Sequence, residues 1–67
     1  MFQENEFRAE IARRGLTIKE VAKMLGIDPV SLYRKMKGKS DFFRNEIQTI
    51  REKFSLTDND VIKIFFA

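Results

Sequence analysis

At 67 residues, of which 43% are apolar, the chain has room for one domain around one small core. Cysteine and histidine are both absent, which excludes disulfide staples, thiolate or imidazole metal sites, and the usual nucleophile–base pairs. The net charge of +3 is unevenly placed: residues 1–15 are balanced, residues 16–40 carry six Lys or Arg against Glu20 and Asp28, and residues 41–67 carry four bases against five acids. No apolar run approaches the roughly 20 residues a membrane span needs. The opening stretch, MFQENEFRAE, lacks the apolar segment of a signal peptide. A cytoplasmic protein that engages no membrane is the expectation.

The elements follow in chain order. Asn5 reads as the cap of a first helix running to about Arg14, with Phe7 and Ile11 inward at i, i+4 and Gly15 closing it. Phe2 lies outside that helix, either packed on the core or frayed. Thr17 and Glu20 then form a capping box, and Leu16 and Val21 a hydrophobic staple. Ile18, Val21, Ala22 and Leu25 make one helical stripe that stops at Gly26. Only Ile27 separates that stop from Asp28-Pro29, a cap followed by a first-turn proline. The helix they start has Leu32 and Met36 inward and ends at Gly38. Two helices joined this closely form a helix-turn-helix at about 17–37.

Beyond a polar turn at Lys39–Asp41, Phe42 anchors the chain to the core. A fourth helix runs from about Arg44 to Phe54 with Ile47, Ile50 and Phe54 on one face. Thr57 and Asp60 cap a fifth, with Leu56 stapled to Val61 and with Val61, Ile64 and Phe65 inward. Ile62 and Phe66 fall outside that stripe. No alternating β-branched run occurs, so the expected architecture is all-α, five short helices in one domain over residues 1–67.

Ala22, Gly26, Ile27 and Leu32, in that spacing, resemble the helix-turn-helix of lambda-repressor-like, or Cro/repressor, DNA-binding domains. GLT before the motif, RKMKGKSDF after it, then EI, LT and IFF extend the resemblance over about residues 5–66. Together they look like small regulators of Gram-positive phages and mobile elements. The resemblance implies a transcriptional regulator that lays its third helix in the major groove of an operator. With Leu32 and Met36 inward, Pro29, Val30, Tyr33, Arg34 and Lys37 face outward. By motif match Pro29, Val30 and Arg34 take the base-reading positions, with Tyr33 beside them. A guanidinium pairs bidentately with guanine O6 and N7, a contact worth about 1–3 kcal/mol of discrimination, so Arg34 is the strongest reader. Val30 suits a thymine methyl, and Pro29 offers only van der Waals contact.

Phosphate contacts are expected from Thr17 and Lys19 at the start of the second helix, and from Lys37, Lys39, Ser40 and Arg44 around the end of the third. Three positions depart from the resemblance. Ile18 replaces a common Gln. Lys35 stands where an apolar residue is usual and is expected to snorkel over the core edge. Phe43 stands where a Ser or Thr cap is usual. A homodimer on a two-fold operator is expected, with Phe43, Ile62 and Phe66 as candidate contacts.

The apolar ending VIKIFFA motivates a second reading, a protein-interaction module of antitoxin-like or adaptor type on the same fold. An enzyme is not expected. Ser31, Ser40 and Ser55 have no histidine to activate them, Asp58 and Asp60 are explained by helix capping, and the glycines lack phosphate-loop spacing. No cofactor, metal or small-molecule substrate is implied.

Overall fold

The chain folds into α1 (Glu4–Arg13), α2 (Ile18–Leu25), α3 (Pro29–Met36), α4 (Arg44–Phe54) and α5 (Asp58–Val61), with no strand; α5 widens into a π-helical turn over Ile62–Phe66. These assignments come from a computed structural model describing residues 1–67. Three helices start where a side-chain oxygen takes over an orphan backbone donor. Thr17 accepts from Glu20 N–H at 3.1 Å, Asp28 from Ser31 N–H at 2.8 Å and Thr57 from Asp60 N–H at 3.1 Å. Glu20 and Asp60 return the bond to the backbone N–H of their caps, at 2.9 and 3.0 Å, completing both expected capping boxes. Those bonds from Thr57 hold the Asp60 carboxyl below the usual carboxylate range.

The other two starts have no capping oxygen on the residue before the helix. Asn5 is not a cap: α1 begins one residue before it, with Gln3 in the cap position and no side-chain cap bond. Gln3 N–H donates to the Ile64 carbonyl at 2.7 Å, so the approach to α1 is fixed by the last turn of the chain. At α4, Phe43 occupies the cap position and its ring has no oxygen to offer. Glu46 supplies half a capping box alone, accepting Phe43 N–H at 2.7 Å.

Four helices end in the same way. At each, the backbone turns left-handed and two N–H groups reach back to the last carbonyls, a Schellman motif. After α2, Gly26 (φ 71°) donates to Lys23 O and Ile27 to Ala22 O. After α1 and α3 the turning residues are Gly15 and Gly38, and after α4 it is Ser55 at φ 53°, with Leu56 N–H on Arg51 O at 2.9 Å. A serine at positive φ is uncommon, and no sequence signal pointed to it. The guanidinium of Arg14 also caps α4, donating to the Phe54 carbonyl and lying 4.6 Å from the Phe54 ring centre.

Twelve apolar residues form the core: Phe7 and Ile11 from α1, Val21 and Ala22 from α2, Leu32 and Met36 from α3, Ile50 and Phe54 from α4, then Leu56, Val61, Ile64 and Phe65. Phe2 is packed rather than frayed. It lies 4.8 Å from the Phe42 ring, 5.5 Å from Phe7 and 5.6 Å from Phe65. The cluster ties together the start of the chain, the α3–α4 loop and the last turn, the three segments without regular caps.

Lys35 does not snorkel. It is 6% exposed, and its ammonium sits 3.1 Å from Glu46, 2.9 Å from the Asp41 carbonyl and 3.9 Å from the centre of the Phe43 ring. Glu46 is equally buried. This ion pair pins α3 to the start of α4, and it gives Phe43 a partner: the ring covers the ammonium from the solvent side.

Candidate nucleic-acid interface

The exposed face of α3 is defined by what the helix buries. Leu32, Lys35 and Met36 point inward, two into the apolar core and one onto Glu46. Pro29, Val30, Tyr33, Arg34 and Lys37 are left exposed along the opposite side. Val30 is 60% exposed, although a valine on a helix ordinarily gains by burial. The Asp28 cap and Pro29 fix the first turn, so this face begins at a rigid end.

Cations surround it selectively. Of thirteen Lys and Arg, seven are held in ion pairs: Arg8, Arg13, Arg14, Lys35, Lys37, Arg51 and Lys63. The other six are Lys19, Lys23, Arg34, Lys39, Arg44 and Lys53, of which the first four lie on the helix-turn-helix or the loop after it, while Arg44 opens α4 and Lys53 lies near its end. Lys19, Glu20, Lys23 and Pro29 line a shallow concavity at the α2–α3 turn, two cations against one acid. Arg34, Lys39, Ser40 and Phe43 line another between α3 and the start of α4. Ile27 lines both, so the free cations flank the α3 face on two sides. Arg44 lines neither of these; with Asn45 and Gln48 it borders a separate concavity on α4.

Thr17 and Lys19 are exposed at the start of α2. The Thr17 oxygen is occupied as an acceptor, which leaves its O–H to donate. Glu20 takes the Thr17 N–H, so the donors this terminus has left are the N–H groups of Ile18 and Lys19.

Lys37 differs from the other expected phosphate contacts. Its ammonium lies 3.1 and 3.2 Å from the two Glu4 oxygens. Glu4 also accepts from Arg8 at 2.8 Å, and the Arg8 guanidinium stands 5.7 Å from the Tyr33 ring centre. The Arg8 hydrogen bond first, and Lys37 second, hold the Glu4 carboxyl below its ordinary range. Glu4 and Arg8 thus belong to the surroundings of α3, which sequence reasoning missed. Both sit on α1, and only the packing of α1 brings them there.

Phe43, Ile62 and Phe66 are all exposed, at 63, 54 and 62%. Phe43 faces the concavity beside α3, whereas Phe66 lines a separate groove with Phe42, Ile47, Val61, Arg44 and Arg51. No group of acids stands close enough to hold a metal ion, and no helix is long and apolar enough to cross a membrane.

Residues 9–38 match a family model described as "Bacterial regulatory protein, Fis family". The match begins within α1 and runs past the end of α3, so it contains the whole helix-turn-helix. No curated protein and no solved structure matches the chain significantly. The chain carries a helix-turn-helix DNA-binding domain.

Proposed function

We propose that the protein is a sequence-specific transcriptional regulator of the Cro/repressor type, from a phage or mobile element, acting in the bacterial cytoplasm as a homodimer on a two-fold operator. One observation carries the reading: four of the six cations that the fold leaves unpaired, Lys19, Lys23, Arg34 and Lys39, lie on the exposed face of α3 or in the concavities beside it. Arg34 and Val30 read base edges in the major groove, with Pro29 and Tyr33 in van der Waals reach. Thr17, Lys19, Lys37, Lys39, Ser40 and Arg44 take phosphates. The first group sets sequence preference, and the second sets register and salt-dependent affinity. Phe43, Ile62 and Phe66 supply apolar area for the partner copy.

Selection of bound sites from random DNA tests the reading. Two half-sites about 34 Å apart are expected, one helical turn. Four Lys or Arg phosphate contacts per copy, eight per dimer, give log K against log salt a slope of about −7. On the selected site Arg34→Ala should cost about 1–3 kcal/mol and relax one base position, with little change on random duplex. An affinity indifferent to salt would sink the proposal. Exposure of both Ile62 and Phe66 at the last turn favours one competitor, a module that binds another protein. Arg34→Ala with Lys37→Ala separates the two: DNA regulation fails, whereas a protein complex held by Phe66 survives.

A further inference from the structure

Tyr33 and Lys37 enter that account, but Glu4 and Arg8, which hold them from α1, have no role in it. Tyr33 and Lys37 are one turn apart on α3 and project to the same side. Arg8 reaches the ring of Tyr33 from α1, and one carboxylate, Glu4, holds both cations at hydrogen-bond distance. Such an arrangement is unfavourable for DNA binding in two ways. It offsets half the charge of two cations beside the α3 face, and it places a negative charge where a phosphate strand must approach. As a stabilising device it is weak, because Lys37 is half exposed and surface pairs of this kind contribute little. The core pair between Lys35 and Glu46 already fixes α3.

We infer that Glu4 is a built-in stand-in for a DNA phosphate: it occupies Arg8 and Lys37 in the free protein and goes on competing with the duplex for them, so that they are only partly released, lowering affinity and shallowing its salt dependence. The inference rests on the DNA-binding reading and adds Arg8, on α1, to the residues that touch the backbone. The exchange is feasible because a duplex phosphate offers the same charge and acceptor geometry as the carboxylate, with counterion release in addition. Each cation returned to the DNA adds about 0.9 to the magnitude of the salt slope.

The test uses the full chain and a labelled 20-base-pair duplex of random sequence, since phosphate contacts are indifferent to sequence. Glu4→Gln keeps the shape of the side chain and removes its charge. It should tighten binding about three- to tenfold near 0.1 M salt and steepen the slope by about one to two. Glu52→Gln, on the exposed side of α4 and bonded only to Gln48, makes the same change in net charge and should move the slope far less. With Arg8→Ala and Lys37→Ala together in the background, Glu4→Gln should steepen the slope no more than Glu52→Gln does, because only its own repulsion is left to relieve. A Glu4→Gln chain whose slope equals that of wild type, or equals that of Glu52→Gln, overturns the inference while leaving the DNA reading intact. A wild-type chain that binds neither this duplex nor a selected site at low salt overturns both. Thermal melting of each variant separates a change in binding from a loss of fold.

Discussion

The helix-turn-helix and the frame around it are specified in different ways. Within α2 and α3, the residues that start and stop each helix lie inside it or directly beside it: Thr17 with Glu20, Gly26 with Ala22 and Lys23, Asp28 with Ser31. The frame depends on partners far along the chain. Gln3 is fixed by Ile64, Arg14 caps Phe54, and Phe2 packs on Phe42 and Phe65. The helix-turn-helix is thus locally encoded, and the placing of the other helices around it is encoded largely through tertiary packing. Substitutions in the frame should act on the whole domain, and those in the motif should act on one helix.

The largest effect tests the frame. Phe7 is fully buried at the centre of the aromatic cluster, so Phe7→Ala should cost about 3–5 kcal/mol in urea unfolding. Against the usual 5–15 kcal/mol that leaves little margin. A loss near 1 kcal/mol would show that the cluster repacks and that the frame is softer than described.

Next comes the joint between the two regions. Lys35→Ala or Glu46→Ala leaves a buried charge unmatched and should cost about 3 kcal/mol or more. Replacing both at once, Lys35→Met with Glu46→Leu, should recover most of the loss. If the double variant is as unstable as either single one, the pair is not acting as a unit.

Within the motif the expected losses are smaller. Asp28→Ala removes only the cap of α3 and should cost about 1 kcal/mol, visible in chemical denaturation and in faster amide exchange at Ser31. The smallest effect is a pH dependence. Glu4 and Asp60 have carboxyl groups held below their ordinary range in the folded chain, so the unfolded chain binds more protons in that window. Their contributions are therefore present above the carboxylate range and fall away as the pH drops through the folded values. The melting temperature should decline below about pH 4.5, and Asp60→Asn should flatten the decline.

The same contrast explains what could be read from the sequence. The bounds of α4, the starts of α2, α3 and α5, and the inward residues of the helices were legible, because caps and stripes are patterns a few residues long. The exposure of Pro29, Val30, Tyr33 and Arg34 followed from Leu32 and Met36 being inward. Asn5 misled because a capping residue type carries no weight once Gln3 is fixed by the last turn. Lys35 misled because a lone lysine on a helix gives no hint of the glutamate eleven residues away that accompanies it into the interior. Glu4 and Arg8 were hidden for the same reason: their relation to α3 exists only after α1 has packed.

Ser55 has one further consequence. Three of the four left-handed bends are made by glycines, which adopt that shape without penalty, so those corners keep their form unaided. The corner between α4 and α5 is bent by the anchoring of Phe54 and Leu56 on either side of it, against the preference of the residue at its apex. Under heat or denaturant it should be the first corner to straighten, releasing α5 and the Phe65 ring from the rest. The amide of Leu56 should accordingly exchange with solvent earlier than its counterparts at Leu16, Ile27 and Lys39, and Ser55→Gly should bring it level with them.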